Sequence, residues 1–449
     1  MGKLFGTDGI RGLADSFLTP EFADKTATAI ISAMKKLHIT EDNFKILIGE
    51  DTRESSSKLS MAMAKSFQKS GADVYLLGVA PTPAVAMLTK SKHFDLGVMI
   101  SASHNLFQYN GIKISDKNGH KLSDEIELCI EDFIFNGNIT DEKSAQTGTI
   151  THSPELLDDY CTYIKNSKNM KIKKAKIVLD CANGSAVATV HKIFKDISND
   201  IIVINNEPNG KNINDKCGST ELDSLIKTIK DEKADFGFAF DGDADRCLCV
   251  DRFGGIIDGD HMIAAVAKYY KYNNQLKNNA IAVTKLSNMA LEKYLAEHDI
   301  KVYYSTEYGD RYVSEKMAEK NLVIGGERAG HIILSDKLET GDGQLTALTL
   351  LSAMSDLADF DKILSSYVDF PQISINLTAT EKQKDLIKSN IELKDFIEEN
   401  SKKNNLRCIV RPSGTEPLVR ILVEAADEQN AKDTAEILAD RCLEIFRRQ

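Results

Sequence analysis

Apolar residues along the chain change their period several times, and each change marks an element. Phe22, Ala29, Ile30, Ala33 and Met34 recur at helical spacing behind Thr19-Pro20-Glu21. A capping threonine followed by proline at the first helical position predicts a helix there. Short apolar runs then alternate with helical stretches: Phe44 to Ile48, a helix through Leu59 and Phe67, Val74 to Leu77, a helix after Pro83, then Leu96 to Ile100. Strand, helix, strand is the order of an α/β unit. A polar stretch, Lys143 to Thr149, precedes a second alternating unit with strands near Ile177 to Asp180, Ile201 to Ile204 and Phe236 to Phe240. A third follows Gly254 and Gly255, with strands near Ile281 to Val283, Val302 to Tyr304 and Leu322 to Ile324. From Gln372 the pattern changes: Ile373, Ile375 and Leu377 alternate as in an antiparallel strand, and Ala431, Ala435, Leu438, Cys442 and Ile445 repeat at helical spacing. The prediction is three consecutive α/β domains, residues 1–150, 151–253 and 254–368, and a smaller α+β domain, residues 369–449. The three α/β units invite a repeat reading, but no residue-level self-similarity supports it.

Composition narrows the class. At roughly 150 residues per domain, 449 residues suit three or four domains. Apolar residues at 42% and charged residues at 27% are near the globular average, which excludes a disordered or fibrous chain. The 67 acidic and 56 basic residues leave a net charge of −11, which argues against nucleic-acid binding, so any anionic substrate must meet a local positive patch. Eight cysteines are scattered without a CxxC pair, and the start MGKLFGTDGIRG has no apolar signal core. Gly6 stands where a myristoylation start requires Ser or Thr, and no apolar run approaches the roughly 18 residues of a membrane span. A cytoplasmic protein with reduced thiols and no membrane partner is expected.

Four polar constellations carry the candidate chemistry. In FGFAFDGDADRCLCV, residues 236–250, an apolar strand ends in Asp241, Asp243 and Asp245. Three crowded carboxylates repel one another unless a cation neutralises them, and an all-oxygen donor set suits Mg²⁺ or Ca²⁺. An EF-hand is excluded, because its sixth position needs Gly where Arg246 stands and its twelfth needs Glu where Arg252 stands. In LGVMISASHNLFQYNGIKI, residues 96–114, a strand stops in Ser101-Ala102-Ser103-His104-Asn105. Either serine could be a nucleophile or carry a phosphoryl group, and a plain turn is the competing reading. No GxSxG elbow surrounds them, against an α/β-hydrolase. In VIGGERAGH, residues 323–331, a strand runs into glycines and then Glu327 and His331, a hydroxyl acceptor and a group able to relay protons near neutrality. In IVRPSGTEPLVRI, residues 409–421, Arg411, Ser413, Gly414, Thr415 and Arg420 gather guanidinium, hydroxyl and backbone donors, an oxyanion cradle that is not a Walker loop.

Together these loops closely resemble the α-D-phosphohexomutase superfamily, in order and over essentially the whole chain: FGTDGIRG at 5–12, SASHN at 101–105, DGDADR at 241–246, GGERAGH at 325–331 and RPSGTEP at 411–417. Within it, NIND-x-CGST at 212–220, GDRYV at 309–313 and TGDGQLTAL at 340–348 resemble the phosphoglucosamine mutase branch. The resemblance implies mixed sheets around a central cleft and an isomerase that moves a phosphoryl group within a phosphosugar. It implies glucosamine 6-phosphate and glucosamine 1-phosphate as substrates, glucosamine 1,6-bisphosphate as intermediate, and a role in cell-wall precursor synthesis. Phosphomannomutase or phosphoglucomutase activity is the alternative. It further implies that Ser103 carries the phosphoryl group and shares Mg²⁺ with Asp241, Asp243 and Asp245. Arg11 and Lys113 would flank the transferring group, with His331 as proton relay. His104, Arg246 and Glu327 would contact substrate, while Arg411, Ser413, Gly414, Thr415 and Arg420 would hold the nonreacting phosphate. A homodimer is kept open. Three positions depart from the pattern: Leu106 where proline is usual, Ala329 where serine is usual, and Glu307 before GDRYV.

Overall fold

Each of the first three sheets is built on strands apolar on both faces, which therefore need a helical layer on each side. The computed structural model describes residues 4–39, 44–137, 147–167, 175–198, 200–354, 362, 366–404, 406–413 and 417–447. The chain divides into two compact units, residues 1–286 with 298–365, and residues 287–297 with 366–449.

The first unit holds three sheets. A seven-stranded sheet runs in the order Phe5–Gly6, Gly9–Leu13, Tyr109–Asp116, Leu96–Ile100, Lys45–Glu50, Asp73–Val79, Ile150–His152. Its central strand Leu96–Ile100 is buried at all five positions, matching the unbroken apolar run in the sequence. The predicted first helix is Pro20–Lys36, where the Thr19 side chain accepts the Phe22 N–H and Ala23, Ala27, Ile30 and Met34 face the core. A five-stranded sheet runs Ile256–Ile257, Cys247–Asp251, Phe236–Phe240, Lys176–Asp180, Asp200–Ile204. A four-stranded sheet runs Lys301–Tyr304, Ala280–Val283, Ile324–Gly326, Ile332–Leu334.

All three sheets are mixed, and they share one device. In each, a buried strand parallel to its inner neighbour ends in a polar loop, and the chain returns as an antiparallel strand beside it. Leu96–Ile100 returns as Tyr109–Asp116, Phe236–Phe240 as Cys247–Asp251, and Ile324–Gly326 as Ile332–Leu334. The return strands are absent from the sequence-based expectation, because each follows its partner within a few residues and shares its apolar run. The repeat suspected from the sequence thus exists as topology rather than as residue identity.

The second unit is the predicted α+β arrangement. Its three-stranded antiparallel sheet has the order Gln372–Thr378, Leu418–Glu424, Arg407–Pro412. Val419, Ile421 and Val423 pack against Ala431, Ala435, Leu438, Cys442 and Ile445 of the helix Glu428–Arg447. All eight cysteines are free thiols, and all but Cys129 are buried. Among the described residues no helix is long and apolar enough to cross a membrane.

Candidate active site

The three loops of the first unit meet around the acidic loop, whose backbone is tied by hydrogen bonds to neighbouring elements. Thr82 N–H donates to Asp243 O at 2.9 Å, Cys247 N–H to Gly330 O at 3.0 Å, and Gly343 N–H to Ala244 O at 3.0 Å. Gly242 has to be glycine: a Cβ there would stand 2.5 Å from the Ser103 carbonyl oxygen. Gly330 is held to glycine by its φ of +90° and by the Cys247 carbonyl, 2.2 Å from where a Cβ would lie.

Ser103 sits at the centre. It is buried, with φ at +52°, a left-handed conformation that non-glycine residues adopt rarely and at a cost. Its hydroxyl donates to Asp241 Oδ2 at 2.6 Å and lies 3.5 Å from His104 Nδ1. The Ser101 hydroxyl is turned inward and accepts the Ser103 N–H at 2.9 Å. The two serines, equivalent in the sequence, thus have different surroundings: one shapes the turn, the other faces the acidic loop.

Asp241, Asp243 and Asp245 are buried, each with a carboxylate oxygen within 4.8 Å of the others. Burial raises the Asp241 carboxyl well above the usual carboxylate range, and the neighbouring charges of Asp245 and Asp243 push the same way. Asp243 Oδ1 and Asp245 Oδ1 are buried and accept no hydrogen bond. A hard divalent cation answers both features, satisfying orphaned carboxylate oxygens and offsetting the crowded negative charge, so these residues fit Mg²⁺.

Around the triad runs a closed ring of alternating charge. Lys113 Nζ lies 2.8 Å from Asp243, 3.2 Å from Asp245 and 2.8 Å from Asp8. Asp8 also receives Lys121 at 2.7 Å, and Lys121 binds Asp310 at 2.7 Å. His331 completes the circuit, with Nε2 3.4 Å from Asp310 and Nδ1 3.6 Å from Asp245. Burial disfavours the Lys113 ammonium, yet Asp243, Asp245 and Asp8 outweigh it and raise its pKa well above the ordinary lysine value. Burial likewise opposes charge on His331, but Asp310 and Asp245 lift its pKa to about 9, which favours its protonated form. His104 goes the other way: burial, with Arg246 and Arg11 nearby, lowers it to about 4 and leaves it neutral.

Arg11 is bound to Asp8, and its Nη1 donates to Asn105 Oδ1 at 3.3 Å, beside the serine loop. Arg246 N–H donates to Asp241 Oδ1 at 3.1 Å; burial opposes the charge of its guanidinium, and Asp245 and Asp241 hold it. Glu327 N–H donates to His331 O at 2.9 Å, closing the loop between the strands Ile324–Gly326 and Ile332–Leu334, and burial raises its carboxyl pKa. Ala329 lies exposed at the tip of that loop. Leu106 keeps the backbone carbonyl that proline would offer, and Glu307 is exposed. The first unit therefore gathers Ser103, His104, Arg11, Lys113, Asp241, Asp243, Asp245, Arg246, Glu327 and His331.

In the second unit, Arg411 and Arg420 are directly opposite partners on adjacent antiparallel strands, and Ser413 N–H donates to Leu418 O at 2.8 Å. Gly414 and Thr415 lie outside the described residues. Sequence reasoning missed Asp8, Lys121, Asp310, Arg53 and Asn214. Asp8, Asp310 and Asn214 lie inside quoted motifs, FGTDGIRG, GDRYV and NIND-x-CGST, but nothing in one dimension places them at the serine.

Four family models match in succession: phosphoglucomutase/phosphomannomutase domain I over residues 2–140, domain II over 158–254, domain III over 258–372 and the C-terminal domain over 375–441. The chain is 43% identical over 449 residues to a phosphoglucosamine mutase of Caldicellulosiruptor saccharolyticus, covering 98% of each chain. It is 42% identical over 445 residues to one of Fusobacterium nucleatum, again with 98% of each covered. In fold it is similar to a phosphoglucomutase/phosphomannomutase family protein of Burkholderia thailandensis, TM-score 0.78 at 21% identity, covering 100% of this chain and 97% of that one. It is also similar to N-acetylphosphoglucosamine mutase of Aspergillus fumigatus, solved with GlcNAc-6P and magnesium, TM-score 0.60 at 17% identity, covering 97% and 95%. With all four domain models matched in order and relatives aligned along nearly its whole length, the chain belongs to the phosphoglucomutase/phosphomannomutase family.

Proposed function

We propose that the protein is a phosphoglucosamine mutase, interconverting glucosamine 6-phosphate and glucosamine 1-phosphate through a phosphoserine at Ser103 and a 1,6-bisphosphate. The observation that carries the mechanism is the Ser103 hydroxyl, 2.6 Å from Asp241 at the mouth of the buried carboxylate triad. The substrate assignment rests on the full-length relatives bearing that name.

In the first half-reaction the bond between phosphorus and Ser103 Oγ breaks as a bond to the sugar O1 forms, and the O1 proton is released. In the second, the 6-phosphoryl group of the turned bisphosphate passes to Ser103 Oγ and O6 regains a proton. Asp241, Asp243 and Asp245 would hold Mg²⁺, which when bound neutralises charge on the phosphoryl oxygens. Lys113 and Arg11 bring fixed positive charge to the same group, and protonated His331 is placed to donate to a departing sugar oxygen. His104, Arg246 and Glu327 face the sugar. Arg411, Ser413, Gly414, Thr415 and Arg420 of the second unit take the phosphate that does not react; two guanidinium groups recognise a dianion irrespective of which sugar carbon bears it. We also read four domains, residues 1–150, 151–253, 254–368 and 369–449, and a cytoplasmic enzyme supplying amino-sugar nucleotide and cell-wall precursor synthesis.

Exposed Ala329 favours testing glucose and mannose phosphates as well, since it withdraws a hydroxyl from the loop that would read the sugar. Phosphorus NMR of the protein with Mg²⁺ and a trace of the matching bisphosphate, offered glucosamine, glucose and mannose 6-phosphates in parallel, decides. Fastest conversion of the amino sugar is expected. Faster conversion of glucose or mannose phosphate keeps the mechanism and overturns the assignment.

A further inference from the structure

The Ser103 loop is gripped by two side chains that the mechanism does not use. The Arg53 side chain is fully buried, its Nε tied to Asp51 Oδ2 at 2.8 Å. Its Nη2 donates to the carbonyl oxygens of Ser103 at 2.9 Å and Asn105 at 2.8 Å, and its Nη1 to that of Leu106 at 2.6 Å. Asn214 Nδ2 donates to the same two carbonyls, Ser103 and Asn105, each at 2.9 Å. Asn214 is buried, has a left-handed φ of +58°, and is anchored by its own N–H to Ala182 O at 2.9 Å, just beyond the strand Lys176–Asp180.

The residue types match the task. A primary amide has two hydrogens, and here both carbonyls lie within reach of them; asparagine also tolerates the left-handed backbone. An aspartate would turn a carboxylate against two carbonyl oxygens. An aliphatic residue would leave both carbonyls to Arg53. The clamp also has something to hold, because Ser103 keeps its unfavourable φ only if its surroundings over-determine it. Asn214 belongs to the same sheet domain as the carboxylate triad, so its grip sets the serine in register with Asp241.

We propose that Asn214 and Arg53 are positioning residues of the phosphoryl-transfer step, clamping the Ser103 and Asn105 carbonyls so that Ser103 Oγ stays aligned with the metal loop. This rests on the reading of Ser103 as the phosphorylated residue. Misplacing a reacting atom by about an ångström costs on the order of 100-fold in rate without altering binding of the remainder of the substrate.

The test uses the full chain with Mg²⁺, loaded with glucose 1,6-bisphosphate, as wild type and as Asn214→Ala and Arg53→Lys. Intact mass reads phosphate on Ser103, phosphorus NMR reads the phosphoserine line, and kinetics separate kcat from KM for the best sugar phosphate. Asn214→Ala is expected to melt within a few degrees of wild type, keep KM within about twofold, lower kcat at least tenfold, and shift or broaden the phosphoserine line. Arg53→Lys, which retains the charge but loses the fork, is expected to do the same more mildly. Unchanged kcat and an unchanged line in folded Asn214→Ala would overturn the clamp while leaving the mutase reading intact. A change in KM alone would overturn it too, as would loss of fold in both variants, which would make the pair purely structural. A wild-type protein that takes no phosphate on Ser103 would overturn the mutase reading itself, and the clamp with it.

Discussion

Ser103 and Lys113 make opposite kinds of demand on the fold. The Ser103 hydroxyl has one strong partner, so Ser103→Ala removes a hydrogen bond worth roughly 1 to 3 kcal/mol at most and leaves the turn, which Ser101 and the neighbouring carbonyls define, in place. The expected outcome is a folded protein with an unchanged circular-dichroism spectrum, no phosphoenzyme by intact mass and no turnover; retained turnover would move the nucleophile elsewhere. Lys113 instead stands among three carboxylates. Removing it takes away the cation bound to Asp243, while Asp8 keeps Lys121 and Asp245 keeps His331; breaking a buried ion pair costs about 3 to 5 kcal/mol. Lys113→Met is therefore expected to lower the urea midpoint clearly as well as the rate, and an unchanged midpoint would show that the ring of charge does not stabilise the fold. The residue types of both positions were legible in the sequence; their partners were not, since Ser103 and Asp241 are 138 residues apart.

At the scale of elements, the helix Gly343–Ser352 is instructive, because it begins beside the site and starts from a buried acid. Asp342 caps it, accepting the Leu345 N–H at 2.9 Å, and also accepts the Tyr160 hydroxyl at 2.9 Å. Burial raises the Asp342 pKa from 3.8 to about 6 despite these hydrogen bonds. For an acid raised in the folded state, the folded protein holds the proton longer than the unfolded chain. Stability from this group is therefore fullest below about pH 4 and falls as pH rises towards 6, by on the order of 3 kcal/mol in all. Asp342→Asn keeps the cap acceptor and cannot ionise. Denaturation curves between pH 4 and 7 are expected to show wild type losing stability relative to this variant up to about pH 6, then running parallel; a constant difference from pH 4 upward would refute the assignment. Motif reading singled out TGDGQLTAL without finding this, because a cap is local whereas the burial of its carboxylate is not.

For the molecule as a whole, the carboxylate triad is expected to make stability depend on divalent cation. A ligand that binds only the folded state stabilises it by mass action, about 2.7 kcal/mol at 100 times its dissociation constant. Mg²⁺ is expected to raise the melting temperature of wild type, EDTA to reverse the rise, and Asp243→Asn to abolish most of it; an equal rise in that variant would place the ion elsewhere. What the sequence by itself determined is what depends on neighbours a few positions apart. That includes the buried strands such as Leu96–Ile100 and Phe236–Phe240, the capped helix after Thr19, the shift to α+β after Gln372, and the chemistry of the loops at the strand ends. Period and turn chemistry are local properties, so one dimension records them. Tertiary structure alone decided the antiparallel return strands, the difference between Ser101 and Ser103, the circuit through Asp8, Lys121 and Asp310, and the grip of Arg53 and Asn214. Each of these is a pairing of groups from different sheets or distant turns, and such pairings are set by how the layers pack, which no spacing along the chain encodes.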